Sequence, residues 1–301
     1  MNVLVAGGTG FIGDALTRHL LGRGHRVSVL SRRPSAPDGT PSIFHWDPER
    51  GELDPRALAG VEGVVNLAGE NLSGGRWTRE RKRRLVESRV ASTRFLARKM
   101  MERDPRPRAF VCASAVGIYG NRGEEILLEG SAPGTGFLAE LCKAWEAEAL
   151  AAREARIRTV TTRFGVVLDS RGGALAKLLP VFRAGIGGPL ASGKQWMSWI
   201  ALADVVQVLE AALTRENLEG PVNAVAPAPA RNRELTRALG RVLKRPAILP
   251  VPAPVLHLIF GAMADEALLS SARAEPARLL ELGYRFLYPE LEVALRAAIR
   301  T

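Results

Sequence analysis

Residues Asn2–Gly13 read NVLVAGGTGFIG. Asn2 to Ala6 is a short apolar, β-branched run, the pattern of a buried strand. Glycines follow at once. From Phe11 to Gly24 the apolar residues Phe11, Ile12, Ala15, Leu16, Leu20 and Leu21 recur at helical spacing, and Gly22 and Gly24 stand where a helix stops. The turn between strand and helix carries Gly8-x-Gly10-x-x-Gly13, overlaid by Gly7-x-x-Gly10-x-x-Gly13. Glycines there permit a tight turn and a close approach of backbone to a pyrophosphate, and the free amides of the helix N-terminus face the phosphates. An ordinary glycine-rich turn is the competing reading. The clean strand before it and the clean helix after it favour a dinucleotide loop, with Gly7, Gly10, Phe11, Ile12 and Gly13 at the cofactor.

The alternation continues along the chain. Further strands are expected at Arg26–Leu30, Ser42–Trp46, Gly63–Ala68, Arg108–Ser114 and Arg158–Leu168, with helices at about Thr78–Arg103 and Phe137–Arg156. That order predicts an α/β fold, a doubly wound parallel sheet of Rossmann type. After about residue 166 the texture changes to glycine- and tryptophan-rich segments and short helices broken by prolines. We therefore expect a cofactor domain at residues 1–165 and a smaller C-terminal α+β lobe at 166–301. A strand near 220–226 returns to the sheet, and 245–301 is a C-terminal helical segment.

The second strand ends in Ser31-Arg32-Arg33. The residue at that position meets the adenosine ribose. An acid there binds the 2′-hydroxyl of NAD and repels a 2′-phosphate, whereas arginine does the reverse. Planar, permanently charged guanidinium groups suit a phosphate, so the expected cofactor is NADP(H). The alternative is that Arg32 and Arg33 are plain surface residues of an arginine-rich chain.

Against 31 acidic residues the chain carries 42 basic ones, a net charge of +11, and only six of the 42 are lysine. Between Arg76 and Arg108 there are 13 basic and 4 acidic residues. Such a field attracts phosphates, and a nucleic-acid binder is one reading of it. The segment has few aromatics, its apolar spacing buries one helix face, and no nucleic-acid motif accompanies it, so we expect no nucleic-acid partner. No apolar run reaches the ~18 residues of a membrane helix, and no membrane partner is expected. The opening MNVLVAGG has no basic n-region, which predicts a cytoplasmic protein. Cys112 and Cys142 lack CxxC spacing and are expected as buried thiols. His19, His25, His45 and His257 show no metal spacing, so no metal site is expected. A monomer or a homodimer fits these properties.

GGTGFIG at the first turn, NLAGE at Asn66–Glu70, SAVGIYG at Ser114–Gly120 and WIALADVV at Trp199–Val206 resemble the extended short-chain dehydrogenase/reductase superfamily. NLAGENLSGGRWT, ESR, GGPLASGKQWMSWI and the C-terminal LGYRF and YPELEVAL are similar to one branch of it. That branch is the nucleoside-diphosphate-sugar epimerase type with a C-terminal domain of unknown function, and the likeness covers essentially the whole chain. It implies that Ser31 and Arg32 meet the 2′-phosphate and that Leu67, Ala68 and Gly69 flank the adenine side. It also implies that Arg89 points to the cofactor and Val167 contacts the nicotinamide end.

The superfamily's chemistry rests on Tyr-x-x-x-Lys, with a Ser or Thr orienting the substrate oxygen. Helical i,i+4 spacing puts the two residues on one face. Here Lys143 has Ala139 four residues before it. Ser114 lies five residues before Tyr119, where four is usual, and Ala115 fills that slot. Two readings remain. In the first the chain is an NADP(H)-dependent oxidoreductase or epimerase on a small carbonyl or sugar-nucleotide-type substrate. Tyr119, just past a strand end, then supplies the proton, with Ser114 and Lys143 in support. In the second it binds NADP(H) without turnover, as a sensor or scaffold. Under either, Arg163, Lys194 and Trp199 are expected to line a substrate cavity, with Gln195, Trp196 and Asp204 beside them. Asp204 has a helix N-cap as its plain alternative.

Overall fold

The structure, a computed structural model, describes residues 1–32 and 41–300. The chain opens β1 (Asn2–Ala6), α1 (Phe11–Gly22), β2 (Arg26–Ser31), β3 (Ser42–Asp47), β4 (Glu52–Leu53) and β5 (Gly63–Asn66). It continues α2 (Arg79–Val86), α3 (Ser92–Met101), β6 (Ala109–Ala115), β7 (Ile126–Leu127), α4 (Phe137–Leu150), β8 (Arg158–Phe164) and β9 (Val166–Leu168). The rest is α5 (Gly173–Arg183), β10 (Trp196–Met197), β11 (Trp199–Ala201), α6 (Leu202–Thr214), β12 (Gly220–Ala224), β13 (Ala230–Arg231), α7 (Asn232–Leu243), α8 (Ala253–Phe260), β14 (Arg273–Ala274), α9 (Ala277–Glu281) and α10 (Leu291–Arg300).

Eight strands make the main sheet in the order β12-β8-β6-β5-β1-β2-β3-β4. All neighbours are parallel except β3 and β4, which form a short antiparallel edge. This is the doubly wound fold that the strand–helix alternation predicts. The buried runs of β1, β5 and β6 explain themselves, because helices cover both faces of a parallel sheet. Val3, Val5, Leu16, Leu20, Val205 and Leu209 fill one side, between α1, α6 and the sheet. Leu4, Ala6, Phe95, Leu96, Phe110 and Trp145 fill the other, under α3 and α4.

Some boundaries differ from the sequence reading. The strand expected over Arg158–Leu168 is two. After Gly165, whose amide still reaches the Ala224 carbonyl at 3.2 Å, the chain leaves β12, and Val166 donates its amide to the Ser198 carbonyl at 2.8 Å, so β9 pairs with β11 instead. The long basic helix is α2 and α3 joined by a π-helical turn, Glu87–Ala91. β12 does return to the main sheet, beside β8. No helix among the described residues is long and apolar enough to cross a membrane.

Candidate cofactor and active site

Strand order reverses around β1, which has β2 on one side and β5 on the other. Ligands of such sheets bind in the crevice beyond the strand C-termini at that point. The glycine loop sits there. Gly7 has φ +77°, and a methyl group on it would stand 2.8 Å from the Leu67 carbonyl carbon. A methyl on Gly13 would collide with the Gly7 carbonyl oxygen. Both positions therefore require glycine. Gly10 caps α1 without any side-chain hydrogen bond to its first turn. The first amides of a helix have no intrahelical partner, and together they carry a partial positive charge. Such a backbone arrangement is suited to hold a diphosphate.

The crevice wall comes from the end of β5. Leu67 donates its amide to the Ala6 carbonyl at 2.9 Å. Asn66 is fully buried; its Nδ2 donates to Thr93 Oγ1 at 2.8 Å, and its Oδ1 accepts the Ala68 amide at 3.1 Å. Asn66 thus pins the turn at Leu67-Ala68, a role that the bare motif does not reveal. Arg89 lies in the π-helical turn and is buried at 8% exposure. Its Nη2 donates to the Glu70 carbonyl at 2.8 Å, and its guanidinium covers Gly69 and lies 5.3 Å over the Trp145 ring. Burial pulls its pKa down to about 10, so it stays charged at neutral pH. On the far side the Phe11 ring lies against Gly172 and Gly173, and Gly173 also abuts the Val167 carbonyl. Gly7, Gly10, Phe11, Gly13, Leu67, Ala68, Gly69, Arg89 and Val167 are thus linked around one crevice. Ser31 ends β2 half-buried and Arg32 is exposed beside it. Arg33 lies outside the described residues.

The residues expected to handle protons and substrate go elsewhere. Ala139 is fully buried where the tyrosine of the superfamily pattern would stand. Lys143 points outward and pairs with Glu140 at 2.5 Å. Ser114 Oγ donates to Glu146 Oε1 at 2.6 Å. Arg163 clamps the same carboxylate, Nε to Oε1 and Nη2 to Oε2, both at 2.8 Å. Its Nη1 donates to the Tyr119 hydroxyl at 2.9 Å, which donates in turn to Asn223 Oδ1 at 2.7 Å. Tyr119 is fully buried, and that burial pushes its phenol pKa up. The position past a strand end was read correctly, but the side chain turns inward, because Asn223 on β12 and Arg163 on β8 offer it buried partners. Ser114, Tyr119 and Arg163 are therefore parts of one interior network rather than a face presented to substrate.

Of the other expected lining residues, Trp199 and Asp204 are committed to the interior. Trp199 is fully buried, and its Nε1 donates to the Ala228 carbonyl at 2.9 Å. Lys194 is exposed, two residues before β10. Gln195 donates to the Leu268 carbonyl at 3.1 Å, and the guanidinium groups of Arg231 and Arg273 lie 4.5 and 4.6 Å from the Trp196 ring centre. Asp204 is no N-cap; its two oxygens accept the Leu287 and Tyr288 amides at 2.7 and 3.0 Å and tie down the C-terminal segment. Among the described residues no group of three His, Cys, Asp or Glu gathers as metal ligands would.

Residues 3–225 match the family described as "NAD dependent epimerase/dehydratase family". The chain belongs to that family. Residues 251–298 match a domain of unknown function, DUF1731. Among relatives of this epimerase/dehydratase member, Epimerase family protein Mb2239 of Mycobacterium bovis is 42% identical over 293 residues, which are 97% of this chain and 96% of that one. The human epimerase family protein SDR39U1 is 37% identical over 302 residues, 99% of this chain and all of the relative. A crystal structure of the human protein (isoform 2) with NADPH superposes with a TM-score of 0.91 at 35% identity, covering 100% of both chains. The UDP-glucose 4-epimerase of Thermus thermophilus, solved with NAD, is 22% identical with a TM-score of 0.77, which shows a shared fold.

The basic segment 76–108 is partly ion-paired, its Arg89 is buried, and most of its arginines stay exposed. Arg81 pairs with Glu70, Arg83 with Glu80 and Glu87, Arg94 with Glu148, and Lys99 with Glu102. With no nucleic-acid motif beside this segment, purified protein is expected not to retard a DNA or RNA duplex in a gel-shift assay at moderate salt. Retardation that falls steeply with added salt would show that this surface does bind phosphate backbones.

Proposed function

We propose that this chain binds NADP(H) and works as an oxidoreductase or epimerase-like protein on a small carbonyl or sugar-type substrate. The observation that carries the cofactor is the backbone cradle of Gly7, Gly10 and Gly13, with Ser31 and Arg32 where an NAD-preferring chain places an acid. The NADPH held by the human relative supports the same choice. When bound, the nicotinamide supplies hydride exchange; the chain's residues supply binding and orientation. Gly7, Gly10, Phe11, Ile12 and Gly13 receive the diphosphate, and Ser31 and Arg32 the 2′-phosphate. Leu67, Ala68 and Gly69 flank the adenine side. Arg89 stiffens that wall, and Val167 lies toward the nicotinamide end.

General acid–base help by a placed side chain contributes ~10²–10⁴-fold to such reactions. With Ala139 at the tyrosine position and Tyr119 held inside, protons come from solvent, and turnover is slow. The same observation favours a second reading, an NADP(H)-responsive binding protein without turnover. The two part in a panel of aldehydes, ketones and sugar nucleotides with NADPH oxidation followed by absorbance. Slow oxidation with any panel member supports the first reading; none above the buffer rate supports the second. In the first case Tyr119→Phe leaves the rate unchanged, and a loss of rate without loss of fold would restore its catalytic role.

Cofactor choice is tested separately. Fluorescence titration is expected to give tighter NADPH than NADH binding. Arg32→Asp removes a charge-assisted contact worth on the order of 1.5–3 kcal/mol, so NADPH binding weakens by about 10- to 100-fold while NADH is little affected. Equal or tighter NADH binding by the unaltered protein would overturn the assignment.

A further inference from the structure

The contacts around the crevice close on themselves. Gly7 abuts the Leu67-Ala68 backbone, and Gly69 lies under Arg89, which holds the Glu70 carbonyl. Arg81 binds both the Glu70 carboxylate and the Asn71 carbonyl. Asn71 Oδ1 accepts from the Ser73 amide and hydroxyl, both at 3.0 Å. Lys177, one turn into α5, donates to Ser73 Oγ at 2.6 Å and to its carbonyl at 3.0 Å. Gly172 and Gly173, which lead into α5, rest on Phe11 in the first turn of α1. The chain of contacts runs from the glycine loop through the segment 69–77 and α5 back to the first turn of α1, whose N-terminus has no side-chain cap.

Its links are unequal. The 69–77 segment is fixed at its start by Arg81 and Arg89. Its end is fixed by Trp77, which is buried, donates to the Leu72 carbonyl at 2.9 Å and packs 5.3 Å from Phe137. Its middle is held only within the segment, by Asn71 at Ser73 and Gly74 and by Arg81 against Gly74, and space is open around Gly75. Among the described residues the Lys177–Ser73 contact is the sole side-chain hydrogen bond between this segment and α5. Lys177 is exposed, and exposed contacts of this kind break readily. The segment is a strap, and Lys177 is where it fastens.

We propose that Ser73 and Lys177 are positioning residues for the dinucleotide: together they fasten the strap across the diphosphate site, and NADP(H) enters and leaves by breaking that one link. The inference rests on NADP(H) occupying the crevice, as proposed above. It concerns retention of the cofactor, not the chemistry.

The test preloads the protein with NADPH and chases it with excess NADP+ in a stopped-flow fluorimeter. Lys177→Ala is expected to raise the dissociation rate about two- to fivefold, the kinetic equivalent of ~0.4–1 kcal/mol. It should raise the association rate as well, so the Kd moves less than either rate. Ser73→Ala, which keeps the carbonyl acceptor, should do the same to a smaller degree. A double variant, Ser73→Cys with Lys177→Cys, bridged by a short bismaleimide over bound NADPH, should release the cofactor far more slowly than the unbridged form. The native thiols do not compete, because Cys112 and Cys142 are buried and burial pushes both up to about 12. Unchanged rates in Lys177→Ala, or equally fast release from the bridged form, overturn the strap. A faster release with an unchanged or slower association also overturns it, since that is the pattern of a lysine touching the phosphate directly. Failure of the unaltered protein to bind NADPH at all is a different result; it removes the cofactor reading and this inference with it.

Discussion

Glu146→Ala is expected to cost about 3–5 kcal/mol of folding stability, the usual effect of removing one partner from a buried ion pair. The side chains of Glu146 and Arg163 are each 7% exposed. Truncation leaves a guanidinium with two donors unpaired, strands the Ser114 hydroxyl and loosens Arg163 against Tyr119. An uncompensated buried charge is the dominant loss, so Glu146→Gln, which keeps an acceptor but not the charge, should fall between wild type and Ala. The pair need not be a net source of stability. Replacing both residues with apolar ones of similar size, Glu146→Leu with Arg163→Met, should recover part of the loss, because neither charge is then buried alone. Denaturant midpoints of the single and double variants measure this. A loss below about 1 kcal/mol for Glu146→Ala would mean that water reaches Arg163 and that the interior reading of Ser114, Tyr119 and Arg163 is wrong. That outcome would reopen the substrate role first expected of them.

The parts of this protein that were legible in the sequence are those whose causes are local. A β-branched run, a glycine turn and a 3.6-residue apolar period lie within Asn2–Gly22, so strand, loop and helix follow from neighbours in the chain. The strand β12 was legible for the same reason, as a short apolar run framed by Gly220 and Pro227, whereas its pairing with β8 is a distant contact. Side-chain direction has distant causes. Tyr119 stands past a strand end, as an acid for substrate would, yet its hydroxyl is drawn inward by Asn223, 104 residues later. Trp199 is committed to the core by the Ala228 carbonyl, and Asp204 to the amides of Leu287 and Tyr288. The break between β8 and β9 follows from Ser198, more than thirty residues on. A polar or aromatic residue near a crevice thus has two kinds of partner available. Only the packed chain shows which has been taken.

Two glycines of α1 should respond in opposite senses to the same substitution. A methyl group at Gly13 collides with the Gly7 carbonyl oxygen and would lie 2.7 Å from Gly8 Cα. The loop cannot yield freely, since Gly7 is already set against the Leu67-Ala68 backbone and Gly8 against Val29. Gly13→Ala must therefore move the loop off the helix axis and turn its amides from the phosphates. Hydrogen bonds to a charged group are worth ~1.5–3 kcal/mol each. Losing two of them weakens NADPH binding at least ~100-fold, while the helices persist by circular dichroism. At the other end of the same helix, nothing lies within 4 Å of the space a methyl would fill at Gly22. Gly22→Ala should leave NADPH binding intact and raise stability by up to about 0.5 kcal/mol, less than the mid-helix preference for alanine because Gly22 ends the helix. Titration and thermal melts of both variants make the comparison. Tight NADPH binding by Gly13→Ala would mean that the loop opens more easily than its contacts imply and that the diphosphate does not depend on this cradle.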